Sequence, residues 1–181
     1  SPQGVTCTAG NPSFALDDDL ESQGGWTGDF GDWIAGGPVG TPSGNTGPLG
    51  PHSGSGYFFY ESSTVTQATG TVVSPLVYLT NSSGSAEPSF FLPAFGATTG
   101  TLDVGVSTDG GITFNNVFSW TGPYQSAQAD AYAPIGIDLT SYLGQSIYVG
   151  FTYTKGSSFT GDIAIDLVRV EACASCANPS A

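Results

Sequence analysis

Positive charge is almost missing from this sequence. Only Lys155 and Arg169 oppose fifteen acidic residues among 181, for a formal net charge of −13. Nucleic-acid binding draws on counterion release by clustered Lys and Arg, so that class of partner is excluded, and anionic membranes and sulfated polymers are disfavoured. No apolar run approaches the roughly 20 residues a spanning helix needs, so no membrane insertion is expected. Histidine is as scarce as lysine. The single one, His52, sits in Gly50-Pro-His-Ser-Gly54, without the strained turn that presents a nucleophile, and Ser53 is too near in sequence to partner it. Carboxylate pairs that hydrolyse glycosides are easy to imagine among fifteen acids, but nothing in the sequence marks one acid as the proton donor. The expectation is a protein without catalytic activity.

Cysteine is confined to the two ends, at Cys7, Cys173 and Cys176. A disulfide joining the termini is a reasonable reading, but the count is odd, so one thiol is free or pairs outside this segment. Cys173-x-x-Cys176 has neither a second pair to complete a zinc site nor an adjoining βαβ pattern for redox chemistry. Helical periodicity is absent as well: no segment keeps apolar residues at three- and four-residue spacing beyond two turns.

What the chain does have is alternation. Leu102, Val104 and Val106 alternate with Asp103 and Gly105, then meet Asp109-Gly110-Gly111, a hairpin turn into a strand over Ile112–Phe114. Ile147, Val149, Phe151 and Tyr153 alternate with Tyr148, Gly150 and Thr152. Thr71–Leu79 and Ser89–Phe95 read as further strands, with Pro75, Pro88 and Pro93 favouring edges or strand ends. In the last strand Ile163, Ile165 and Leu167 are assigned to the core, and Asp162, Ala164 and Asp166 to the opposite face. Many short strands separated by turn signals describe an all-β antiparallel β-sandwich.

Between Trp26 and Ser63 lies a stretch too rich in Gly, Pro, Ser and Thr for a helix, yet punctuated by Trp26, Trp33 and Tyr57-Phe-Phe-Tyr60, which need partners. It contains Trp26-Thr-Gly-Asp29 and Thr41-Pro-Ser43 followed by Thr46-Gly-Pro48, and the chain closes with Gly161-Asp-Ile-Ala-Ile-Asp166. Together with Val73-Ser-Pro75, Gly100-Thr-Leu-Asp-Val104, Phe118-Ser-Trp120 and Asp138-Leu-Thr-Ser-Tyr142, this order of pieces resembles the MAM domain, over residues 14–171. There are departures. Pro51-His52 stands where the family often has Asp-His, Leu20-Glu21 replaces Phe-Glu, and Asp166-Leu167 replaces the final Asp-Asp or Asp-Asn.

The resemblance implies a jelly-roll sandwich and an extracellular binding module, secreted or on a cell surface, that serves adhesion through a protein partner or self-association. It further implies a structural cation, calcium or alternatively sodium, held by Glu21 and Asp166. Asp19 is a further candidate, since Asp17, Asp19 and Glu21 share one side of an extended segment and would repel one another unless neutralised. Asp29 and Asp32 are assigned to Asx-type bonds within the Trp26–Trp33 loop.

The rival reading is a module that binds a neutral glycan, attached to a polysaccharide-degrading enzyme. Among the aromatics near loops, Tyr124 and Tyr132 are the candidates for a ligand face, because small and polar residues surround them. Residues 1–13 read as a lead-in and 172–181 as a tail or linker to a further domain. The chain begins at Ser1 without a signal-peptide pattern, as a mature segment or an excised piece would. Asn81-Ser-Ser83 is a glycosylation sequon that matters only in a host that glycosylates.

Overall fold

The computed structural model describes residues 13–79 and 87–173. Cys7, Cys176, the Asn81 sequon and the expected tail beyond Cys173 lie outside them, whereas Ala172 and Cys173, read as the start of that tail, end the last strand. Twelve strands follow in order: β1 (Ser13–Asp18), β2 (Thr27–Gly28), β3 (Trp33–Gly36), β4 (Tyr57–Tyr60), β5 (Thr69–Val73), β6 (Val77–Tyr78), β7 (Glu87–Leu92), β8 (Thr101–Ser107), β9 (Asn115–Thr121), β10 (Ala133–Gly136), β11 (Ser146–Thr154) and β12 (Ile163–Cys173). The only helical element among the described residues is a single 3₁₀ turn, Thr140–Tyr142.

These strands form two antiparallel sheets, the sandwich expected from sequence. The first runs β10-β7-β12-β4-β3, with β1 pairing the far half of β12; the second runs β2-β5-β11-β8-β9, with β6 pairing the start of β11. Each sheet is therefore organised around one long late strand that carries several shorter partners. The proline-marked segment Thr71–Leu79 breaks at Ser74–Leu76 into β5 and β6, because Pro75 cannot donate to a ladder.

The inner faces meet in one apolar core. Ile147, Val149, Phe151 and Tyr153 of β11 and Leu102, Val104 and Val106 of β8 are all fully buried in it. Aromatic rings span the gap between the sheets: Trp26 meets Phe58 edge-on at 5.4 Å, Phe90 meets Phe151 at 5.1 Å, and Tyr60 meets Tyr153 at 5.2 Å. The indole N–H groups of the two deepest tryptophans are satisfied, Trp26 by the Asp18 carboxylate at 3.0 Å and Trp33 by the Gly70 carbonyl at 3.0 Å.

The closing strand departs from strict alternation. Leu167, assigned to the core, is only half-buried with φ of 50°, and the pairing with β7 shifts between Asp166 and Arg169. This bulge inserts one residue and flips the parity, so the core row is Ile163, Ile165, Val168 and Val170. Ile112–Phe114 also differs from its expected strand. β9 begins at Asn115, and Ile112 is 81% exposed on the hairpin loop.

Candidate functional site

The two outer faces of the sandwich are built differently. On the first sheet the long segment between β3 and β4 folds back over the strands. Tyr57, Phe59 and Ala164 point outward yet are buried in a second small cluster with Ile34, and the Tyr57 hydroxyl donates to the Val39 carbonyl at 2.7 Å. This covering loop is what the Gly- and Pro-rich stretch provides: tight turns, and backbone close enough to shield the sheet.

Asp166 lies beneath that cover, fully buried. Its Oδ2 accepts the backbone amides of His52 at 2.7 Å and Ser53 at 3.0 Å, whereas Oδ1 has no partner among the described residues. Burial pushes its carboxyl upward and the Ser53 and His52 amides offset part of that push. Glu21 grips the same loop from its exposed side, accepting the Ser55 amide at 2.7 Å and the Ser55 hydroxyl at 2.5 Å. These Ser55 bonds hold its carboxyl below the usual range. The approach is so close that a side chain on Gly54 would collide with the Glu21 carboxylate at 1.8 Å. Asp19 is exposed and, among the described residues, accepts only the Glu21 amide, at 3.4 Å. The structure thus brings Glu21 and Asp166 to one loop, at Ser55 and at His52–Ser53. No group of three or more His, Cys, Asp or Glu side chains placed to hold a metal occurs among the described residues.

A second buried acid on the covered face was not singled out in sequence. Asp162 faces Glu61 at the end of β4, and both side chains are enclosed. Glu61 Oε1 accepts the hydroxyls of Ser43 and Ser63, each at 2.5 Å, and Asp162 Oδ1 accepts the Ser62 amide at 2.9 Å. The visible sequence signal was the Tyr60-Glu61-Ser62 ending of an aromatic strand, an acid that continues the outward row of Tyr57 and Phe59.

Tyr124 stays 49% exposed, edge-on to Trp120 at 5.6 Å. Tyr132 is half-buried, donates its hydroxyl to the Gly50 carbonyl and lies 5.5 Å from His52, whose ring stacks on Phe91 at 3.6 Å. The two tyrosines therefore occupy different environments, one free and one engaged with the covering loop. Asp29 does not form the expected Asx bond: its carboxylate accepts the Thr71 amide of β5 at 2.8 Å, tying the loop to the second sheet.

The outer face of the second sheet carries no such cover. Outward positions along β11 are Tyr148, Gly150, Thr152 and Thr154, opposite Ser107, Gly105, Asp103 and Thr101 of β8. Hydroxyls pair across the strands, Thr71 with Thr152 at 2.7 Å and Thr69 with Thr154 at 3.1 Å. Asp103 accepts from Asn116 at 3.0 Å and from Ser119 at 2.5 Å. The Phe114 ring rests on Gly105 and Gly150: a Cβ at Gly150 would lie 2.8 Å from it. Sequence reasoning missed this ring, although glycines facing each other in two alternating strands signal a close approach. Around it a hollow of about 170 Å³ is lined by Asp103, Asn116 and Thr152 among others, and a larger one of about 420 Å³ lies beside Tyr148, Val73 and the Gly110–Gly111 turn.

This architecture has solved counterparts. The K2 cleaved adhesin domain of Lys-gingipain superposes with a TM-score of 0.60 at 18% identity, over 86% of this chain and 96% of that domain. The CBM22-1–GH10 modules of Clostridium thermocellum endo-1,4-beta-D-xylanase 10B, complexed with xylohexaose, match at 0.54 and 16% identity, over 93% of this chain and 29% of that one. The C-terminal family 22 carbohydrate-binding module of the same organism's xylanase matches at 0.51 and 18%, over 90% of this chain and 96% of that module. The chain shares their fold. No family model and no curated protein matches the sequence. Among the described residues, no helix is long and apolar enough to cross a membrane.

Proposed function

We propose that the chain is a non-catalytic extracellular binding module whose open sheet face takes a neutral glycan. The observation that carries this reading is the outward row along β11, where the Phe114 ring on its glycine floor is flanked by Asp103, Asn116 and Thr152, and Tyr148 lies further along the same row beside a second hollow. Flat apolar surface beside fixed hydroxyl and carboxylate acceptors is the chemistry that recognises a sugar ring. The net charge of −13 favours a neutral glycan over an acidic one. The likeness to modules described as carbohydrate-binding, one of them complexed with xylohexaose, supports the same choice. Non-catalytic character is supported by His52, whose ring is packed flat on Phe91 rather than poised beside a nucleophile.

A second reading keeps the MAM resemblance and adhesion through a protein partner or a second copy. It is favoured by the likeness to an adhesin domain and by Val39 and Leu49, which stand exposed together on the covering loop. The structural calcium or sodium ion at Glu21 and Asp166, with Asp19 beside it, belongs to either reading. The unpaired Asp166 Oδ1 supports it, and calorimetric calcium titration of Glu21→Gln reads it directly.

Affinity electrophoresis with soluble xylan, mannan and mixed-linkage glucan tests the glycan reading. Retardation by at least one polymer is expected, with affinity lowered ~10-fold in Tyr148→Ala for loss of one stacked ring. Binding that survives both Tyr148→Ala and Phe114→Ala but fails in Tyr124→Ala would move the ligand to the Trp120–Tyr124 edge. No retardation by any neutral polymer would sink the glycan reading and leave adhesion.

A further inference from the structure

The covered face buries two carboxylates against each other without a basic residue to balance them. Glu61 is 1% exposed and Asp162 is 0% exposed, and Glu61 Oε2 and Asp162 Oδ2 have no hydrogen-bond partner among the described residues. Both basic side chains of the sequence are engaged elsewhere. Arg169 pairs with Asp17 at 2.7 Å, and Lys155 Nζ donates to the carbonyls of Val65 at 2.7 Å and Ser62 at 3.4 Å. An uncompensated buried anion costs several kcal/mol, and two in contact cost more. The strain shows in Asp162, whose carboxyl is pushed up first by burial and then by Glu61.

The remaining surroundings are oxygen. The Thr41 hydroxyl lies beside the Asp162 carboxyl and donates to the Thr46 carbonyl at 3.3 Å. Thr46 Oγ1 accepts the Asp162 amide at 2.9 Å and donates to the Phe95 carbonyl at 3.1 Å. Ser43, from the same loop, reaches Glu61 Oε1. The Thr41–Gly47 loop thus turns hydroxyls toward the pair and is anchored by the Gly47 amide on the Phe95 carbonyl at 2.8 Å, and Thr46, Gly47 and Pro48 are buried although they belong to no strand.

We propose that Glu61 and Asp162 form the anionic half of an oxygen-only cation site, closed by the Thr41–Gly47 loop and selective for a hard cation of the calcium type. Two carboxylates with free inward oxygens, hydroxyls and loop carbonyls are the donor types such an ion takes, and nitrogen or sulfur ligands are absent from this set. The site is separate from Glu21 and Asp166, which grip the Pro51–Gly56 part of the loop. Its occupancy has a consequence for recognition. Asn45 and Gln125 line a 370 Å³ hollow with Phe95, Gly96, Ala97 and Pro123, next to Tyr124, and Gln128 also bonds the Thr46 carbonyl at 3.0 Å. An ion at Glu61 and Asp162 fixes the loop that makes one wall of that hollow.

Calorimetric titration of the chelator-stripped chain with calcium, alone and in the Glu61→Gln/Asp162→Asn variant, tests the site. The expected result is one calcium ion fewer per chain in the double variant. Wild type should gain ~5 °C or more in Tm from saturating calcium over EDTA, and the double variant, whose neutral amides need no ion, should gain less. Glu21→Gln is expected to retain the ion that the double variant loses. An ion count equal in wild type and double variant overturns the proposal. So does a wild type that binds no calcium and instead stabilises on acidification, since a proton shared between the two carboxyls then balances the pair. Should the double variant fail to fold, strontium-soaked wild-type crystals decide: an anomalous peak between Glu61 and Asp162 supports the site, and its absence there rejects it.

Discussion

The two outer faces of the sandwich solve opposite problems. The face of β4 and β12 is sealed by the loop between β3 and β4, so its outward aspartates are as buried as the core. The face of β11 and β8 has no covering loop, and its outward residues are Tyr148, Ser107, threonines, two glycines under the Phe114 ring and one aspartate already paired with Asn116 and Ser119. Covering a sheet face with loop rather than helix places backbone amides and hydroxyls over side chains, and acids are what those donors can satisfy. Leaving a face bare demands side chains that tolerate water and present a regular surface. The difference separates stability from recognition: substitutions on the sealed face should act on folding, and those on the open face on binding.

The largest effect expected is at Asp166. Asp166→Ala leaves the His52 and Ser53 amides without an acceptor under the loop, and losing two buried charge-assisted bonds costs about 2–4 kcal/mol. Chemical denaturation measures it. A loss below about 1 kcal/mol would mean the loop finds water and that the face is not sealed.

That sealing also explains what was legible in sequence. The β8 and β11 rows were readable because their neighbours in space are regular strands, and period-2 alternation is all the pattern requires. The Leu167 bulge was not, since one residue at positive φ reverses the row without any change in composition. Glu21 and Asp166 came from resemblance, and the structure puts both on the same loop. Glu61 and Asp162 stand about a hundred residues apart and meet only because the loop closes over them, so no local pattern could pair them. Phe114 was read into a strand, whereas its role depends on two glycines contributed by different strands.

A pH series sharpens the comparison at the next scale of effect. Asp162 is pushed up to about 7 by burial and by Glu61, with the Tyr57 and Tyr153 side chains as its other titratable neighbours. A carboxyl raised in the folded state binds its proton more tightly there than in the unfolded chain. Its contribution is therefore complete below the ordinary carboxylate range and is lost as pH rises through about 7. Carboxyls held low, such as Asp109, Asp130 and Glu21, act oppositely and only below the ordinary carboxylate range. In EDTA, Tm should thus rise by a few degrees between pH 7.5 and 5.5, ~1–2 kcal/mol at this chain length, and Asp162→Asn should flatten the rise. Calcium should flatten it too, by holding the pair ionised near neutrality. A slope identical in Asp162→Asn would show that the sealed face does not carry it.

The smallest effect on folding belongs to the open face. Thr152→Val removes the 2.7 Å hydroxyl contact with Thr71, yet that contact faces outward, where water replaces it, and valine keeps the branched shape a strand favours. Stability should stay within about 0.5 kcal/mol of wild type. Binding should not be so forgiving. Thr152 lines the same hollow as Phe114, Asp103 and Asn116, and a ligand hydroxyl seated there would lose its partner while Asp103 kept its own internal bonds. Weaker retention on the polymer that wild type prefers, with an unchanged melt, is the outcome that separates the two faces. If the melt falls while retention holds, the threonine rows serve the sheet rather than a ligand, and the open face loses its claim to be the recognition surface.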